Sequence, residues 1–132
     1  MLPENNPQTD FFARTMRTSD VDLVAQNEAA AYVHPWTKRI FVDCLRAGYQ
    51  SWVLANKQQI VAHGVMSVAI GECHLLTLCV RPEYQRLGYG RKLFQLLLDR
   101  AVKLDAQTCF LEVRRSNEGA IKLYRSMGFM QI

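Results

Sequence analysis

The sequence predicts a mixed α/β (α+β) fold, with a largely antiparallel sheet flanked by helices. Three observations carry this expectation. Residues 50–55 and 60–69 are apolar, strand-like runs joined by Asn56-Lys57-Gln58, the pattern of a hairpin. A third apolar run, 74–80, is followed by a helical period at Leu93, Leu96, Leu97, Ala101 and Leu104, and then by a strand-like run at 108–113. Such a strand–helix–strand unit needs a right-handed crossover. Finally, 132 residues of which 49% are hydrophobic and 21% charged suit one globular domain spanning 1–132.

Each element has its own local cause. Residues 1–10 carry two prolines and several amide side chains and read as a loose terminus. Residues 11–17 form a first strand. Thr18-Ser19-Asp20 is an N-cap cluster, and Leu23, Val24, Asn27 and Ala31 then follow a helical period from Ser19 to about Tyr32. His34-Pro35-Trp36 breaks that helix. Thr37 caps a second, with Ile40, Phe41, Cys44 and Leu45 as its apolar stripe and Gly48 as its stop. After the hairpin, Gly71 introduces the run at 74–80. The helix beyond the next glycine loop spans Arg91 to about Leu104. A strand at 108–113 follows, and Ser116-Asn117 caps a last helix to about Met127. Gly128 ends it, and residues 129–132 begin one more strand.

A net charge of +4 and a pI near 9.0 fit an anionic cofactor, an acidic substrate or work near nucleic acid. No block of like charge is long enough for a nucleic-acid tail, so no direct nucleic-acid partner is expected. No apolar run approaches the ~18 residues of a membrane-spanning helix, and no membrane partner is expected. Cys44, Cys73, Cys79 and Cys109 follow no signal peptide and make no C-x-x-C pair, so they read as free thiols in the cytoplasm. His34, His63 and His74 lack metal-ligand spacing, and no metal is expected.

The chemistry concentrates in Gln85-Arg86-Leu87-Gly88-Tyr89-Gly90, between the run at 74–80 and its helix. Glycines bring backbone N–H groups close to a ligand, and a helix start adds unsatisfied donors and a positive dipole end. Arg86 and Arg91 add charge. A phosphate or pyrophosphate is the natural occupant.

This loop resembles the Q/R-x-x-G-x-G/A acetyl-CoA loop of the GNAT N-acetyltransferases. Phe110-Leu111-Glu112-Val113-Arg114-Arg115-Ser116-Asn117 and Ala120-Ile121-Lys122-Leu123-Tyr124-Arg125-Ser126-Met127-Gly128-Phe129 are similar to other motifs of that family. With His34-Pro35-Trp36 and Gly71-Glu72-Cys73-His74-Leu75-Leu76, they resemble its branch of bacterial ribosomal-protein N-alpha-acetyltransferases. The likeness covers about residues 14–129. It implies the GNAT acyl-CoA N-acyltransferase fold and an acetyl-CoA cosubstrate. It also implies transfer of acetyl to the N-terminal amine of a small-subunit ribosomal protein. The family continues past Gly128-Phe129 with a strand pair bordering the acceptor site, so the expected sheet is one with its C-terminal strand pair missing.

The resemblance also implies roles. Backbone groups of Leu78, Cys79 and Val80 face the pantetheine arm. The N–H groups of Arg86, Leu87, Gly88, Tyr89, Gly90 and Arg91 hold the pyrophosphate. Asn117 touches the pantetheine side, Glu112 matches the general base and Tyr124 the general acid. Acetyl transfer needs those last two tasks: the amine must lose a proton and the leaving sulfur must gain one. Plainer readings stand beside each. Gly88 and Gly90 suit a tight turn, Asn117 suits an N-cap, Tyr124 suits core packing, Glu112 suits a solvent-facing strand carboxylate, and Trp36 suits packing or gating. Two other functions are open on the same residues: acetylation of lysine or a small amine, and CoA binding without turnover.

Overall fold

The structure, a computed structural model, describes residues 10–132; the expected loose terminus falls outside the described residues except for Asp10. Its elements are β1 (Phe12–Thr15), a 3-10 turn (Thr18–Asp20), α1 (Val21–Ala31), α2 (Lys38–Arg46), β2 (Gln50–Ala55) and β3 (Ile60–Ala69). There follow β4 (Glu72–Val80), a second 3-10 turn (Pro82–Tyr84), α3 (Tyr89–Lys103), β5 (Thr108–Leu111) and α4 (Glu118–Ser126). The five strands form one sheet in the order β1-β2-β3-β4-β5. Pairs along β1 to β4 are antiparallel, and β5 lies parallel to β4.

Helices cover both sheet faces, which is why β3 is apolar on both its sides. One face packs Leu54, Ala62 and Leu78 against Leu93, Phe94 and Leu97 of α3 and Tyr124 of α4. The other packs Val53 and Val65 against Val24 of α1 and Phe41 of α2. Gly64 sets how near α3 can come: a Cβ there would lie 2.7 Å from Leu97 Cδ1.

One irregularity organises the functional half. Val65 pairs with Thr77 and Met66 with Leu75, so Leu76 is an extra residue in β4. A strict period of two would put Leu75, Thr77 and Cys79 on one face. The bulge instead sends Leu75 and Leu78 to the α3 side, and Thr77 and Cys79 to α1. It also explains why β5 stops early. The β4–β5 register ends at Leu75↔Leu111, where the bulge bends β4 away, so Glu112 and Val113, expected within the strand, lie beyond its end. Between Leu76 and Val80 the two strands fork.

Other boundaries differ for local reasons. Thr18-Ser19-Asp20 forms a separate 3-10 turn, because the Asp20 carboxylate turns back to Arg17 N (2.8 Å) and the Arg14 guanidinium (2.7 and 2.9 Å). Thr37 sits at the N-cap of α2 without a side-chain cap bond. The helix expected from Arg91 begins at Tyr89. The strand expected at 129–132 is not formed. Gly128, at φ +94°, and Phe129 close α4 in a Schellman motif, with Gly128 N bonded to Arg125 O (3.1 Å) and Phe129 N to Tyr124 O (3.0 Å). Phe129 thereby packs its ring on Phe94, 5.4 Å between centroids.

The Arg14 guanidinium, chiefly through its hydrogen bonds, holds the Asp20 carboxyl below the usual carboxylate range. Replacing Asp20 by Asn is expected to cost about 2 kcal/mol of stability at neutral pH. The folded pKa is depressed, so this contribution is present above the ordinary value of 3.8 and is lost as pH falls through the folded value. Denaturant melts of parent and variant should therefore differ at pH 7 and converge in strong acid.

Candidate active site

The glycine loop is shaped as an anion cradle. Arg86 lies at φ +65° and Gly88 at φ +90°, both left-handed, on either side of Leu87. Such alternation turns successive N–H groups toward one point. The first bond of α3 runs from Lys92 N to Gly88 O at 3.0 Å, so the amides of Tyr89, Gly90 and Arg91 have no intrahelical partner. Side chains at Arg86, Leu87 and Arg91 are exposed. The loop is anchored from behind: Gln85 Nε2 donates to Val80 O (3.0 Å), and Phe11 meets the Tyr84 and Tyr89 rings edge-on at 5.5 and 5.4 Å.

Beside the fork lies a cleft of about 1180 Å³. Glu112 enters it from the end of β5 and Tyr124 from α4, with Leu75, Leu76 and His74 of β4 alongside. The structure thus brings together the two residues expected to trade protons. Glu112 is exposed and shares that exposure with Phe110 and Arg114. Tyr124 is 8% exposed, and its ring meets Phe94 edge-on at 5.3 Å. Burial pushes the Tyr124 phenol up to about 12. The helix that carries it is tied to the cradle, since Arg91 Nη2 donates to Ser126 Oγ and Gly90 packs near Leu123.

Other expected positions are more committed. Asn117 is the N-cap of α4, its Oδ1 accepting from Ala120 N at 3.1 Å. The Leu78 carbonyl accepts a hydrogen bond from Tyr32 Oη, and the Val80 carbonyl is used by Gln85. Cys79 is buried against α1, and burial pushes its thiol well above the ordinary range. It is no nucleophile in waiting. Trp36 packs on Phe41, 5.3 Å between ring centroids.

Sequence spacing missed two groups. Glu28, His63 and Cys79 place one donor atom each within 4.8 Å of one another. No spacing rule links a helix residue to two strands so far along the chain. That carboxylate accepts from His63 Nε2 (2.9 Å), Thr77 Oγ1 (3.1 Å) and Trp36 N (3.0 Å), so it ties α1 to β3, β4 and the loop before α2. The second is His74, whose place in the cleft follows from the β4–β5 register.

Residues 12–129 match the model of the Acetyltransferase (GNAT) family. The [ribosomal protein bS18]-alanine N-acetyltransferase of Escherichia coli (strain K12) is 34% identical over 115 residues, 87% of this chain and 78% of that protein. The crystal structure of the ribosomal-protein-S18-alanine N-acetyltransferase from Escherichia coli superposes with a TM-score of 0.86 at 32% identity, covering 93% of this chain and 79% of that one. A GNAT family acetyltransferase from Brucella melitensis, in complex with acetyl-CoA, matches at TM-score 0.73 and 25% identity over 92% of this chain and 84% of its own. With the family model matched over residues 12–129 and a relative 34% identical over most of both chains, the expected fold stands: the chain belongs to the GNAT acetyltransferase family.

Proposed function

We propose that this protein acetylates the N-terminal alpha-amine of a small-subunit ribosomal protein, with alanine as the first residue. The observation that carries it is the meeting of Glu112 and Tyr124 in one cleft beside the forked strands, in a chain similar over most of its length to enzymes named for that reaction. Acetyl-CoA supplies the activated acetyl thioester. The residues fit it: left-handed Arg86 and Gly88, with the free amides of Tyr89 to Arg91, suit its pyrophosphate.

This chain's residues then handle protons. Glu112 takes the proton from the acceptor amine through a water, which frees the nitrogen lone pair for direct attack. Tyr124 gives its phenolic proton to the departing sulfur. Leu78, Cys79 and Val80 line the open strand edge for the pantetheine arm, and Asn117 offers its amide nitrogen there while its oxygen caps α4. No covalent acyl-enzyme is required, and the buried Cys79 thiol is unsuited to one. The reading places the enzyme in the cytoplasm beside its protein substrate.

Mass spectrometry with acetyl-CoA and three acceptors tests it: a peptide with a free N-terminal alanine, an N-blocked peptide containing lysine, and a polyamine. Acetyl is expected on the alpha-amine alone. Transfer to lysine or polyamine only, or CoA binding with no transfer, would overturn the reading.

A further inference from the structure

We propose that Tyr32 binds the acceptor: its phenol oxygen takes a hydrogen bond from the incoming amine and sets the nitrogen against the acetyl carbon. The inference rests on the acetyl-transfer reading above and deepens it. Tyr32 is the C-cap of α1, and its Oη donates to the Leu78 carbonyl. Where that carbonyl points follows from the ladder. Arg81 N bonds to Val61 O at 2.8 Å, and Cys79 stands opposite His63. Alternate residues of an antiparallel strand bond to a given neighbour, so Arg81 and Cys79 face β3, while Leu78 and Val80 face away from it. Leu78 has no partner on β5, because that register ends at Leu75↔Leu111. The Tyr32 hydroxyl therefore sits in the fork itself, in the gap that a longer β5 would fill.

The two faces of the sheet have different covers. The cradle opens α3, Gly90 packs near Leu123 of α4, and Tyr124 belongs to the same core. The cosubstrate and the acid thus reach the fork from that face. Helices α1 and α2 cover the other, which leaves the α1 side, and Tyr32, to the acceptor. A phenol oxygen has one hydrogen and two lone pairs. The hydrogen is committed to Leu78 O, and among the described residues no donor bonds to Tyr32 Oη. Burial first, then Cys79, Tyr124 and Glu28, push this phenol above its ordinary range, so its proton stays on the bond to Leu78. The oxygen is then a fixed acceptor facing the fork. Once Glu112 has taken a proton, the neutral amine keeps N–H bonds to spare, and one of them donates to Tyr32 Oη. That bond fixes the rotation of the nitrogen and aims its lone pair at the acetyl carbon. No proton moves through Tyr32, so the roles of Glu112 and Tyr124 are unchanged. The pantetheine arm keeps the N–H groups of Leu78 and Val80, which also face the fork.

Steady-state kinetics of the parent and Tyr32→Phe, with acetyl-CoA and a peptide carrying a free N-terminal alanine, test this. Phenylalanine keeps the ring and removes only the oxygen. The kcat/KM for the peptide should fall by roughly 2- to 10-fold, the worth of one neutral hydrogen bond. The fall should come mainly from a higher acceptor KM. The KM for acetyl-CoA and the CoA affinity measured by calorimetry should stay within about twofold of the parent. A hydroxyl that only ties α1 to β4 would lower the melting temperature and leave the acceptor KM unchanged, and that result would overturn the proposal. So would a drop in CoA affinity as large as the rise in acceptor KM, which would assign the hydroxyl to the pantetheine arm. If the parent acetylates lysine or a polyamine instead, the same comparison runs on that amine and only the substrate reading falls. A parent that transfers acetyl to no amine overturns both.

Discussion

Replacing Tyr124 by Phe is expected to lower kcat by roughly 10²-fold or more, with CoA affinity within about twofold of the parent. The substitution is unusually clean. Tyr124 is 8% exposed and its ring packs on Phe94 and Phe129, and phenylalanine keeps those contacts. Only the hydroxyl is lost. Burial has pushed that phenol up to about 12, so it stays protonated throughout the working range and always has a proton to give. The same burial makes a stability prediction. The folded pKa lies above the ordinary 10.0, so the favourable contribution of the neutral phenol is whole below pH 10 and is lost as pH rises toward 12. The parent should lose stability across that window relative to Tyr124→Phe. Steady-state kinetics with calorimetric melts at pH 8 and pH 11 measure both effects. An unchanged kcat would remove Tyr124 as the acid.

How much of this was legible in the residues follows from the range of each interaction. β2 and β3 match their expected bounds because the alternation, the Asn56 turn and the flanking polar residues are all local. The cradle was legible for the same reason: a strand, two glycines and a helix start are contiguous. The β4 bulge was not, because Leu76 is extra only relative to Val65 and Met66 on the neighbouring strand. With the bulge went the true end of β5, the fork, and the faces of Thr77 and Cys79. Tyr124 and Glu112 came from family likeness, and local pattern alone would have left Tyr124 as a packing aromatic, which it also is. His74 showed only that it lacks metal-ligand spacing with the other histidines. Only the parallel register His74↔Phe110 brings it to the cleft that Glu112 also lines. Glu28 carries no local signal, because its burial depends on partners from β3 and β4.

Gly88→Val is expected to weaken CoA binding by about tenfold to 10²-fold, the equivalent of the ~1–3 kcal/mol that a strained backbone conformation costs. The reason is conformational. A Cβ at Gly88 would meet nothing within 4 Å, so bulk alone does not forbid it. The residue sits at φ +90°, where a β-branched side chain is strongly disfavoured, and it accepts the first bond of α3 from Lys92 N. Relieving the strain rotates the peptide planes on either side and turns the Gly88 and Tyr89 amides away from the pyrophosphate. Without ligand the exposed loop can relax, so the melting temperature of the free protein should fall by less than the binding loss implies. Gly88→Asn separates conformation from size, since asparagine tolerates the left-handed region. It should retain more CoA affinity than Gly88→Val while being nearly as large. Gly90→Ala gives a second contrast: a Cβ there meets Val80 Cγ2 at 3.4 Å and Leu123 Cδ2 at 3.6 Å, ordinary packing distances, and no left-handed φ is required. Calorimetric titration of CoA into the three variants should rank their affinities with Gly88→Val weakest. Equal affinity for Gly88→Val and the parent would mean that the cradle does not hold the pyrophosphate through backbone amides at this turn.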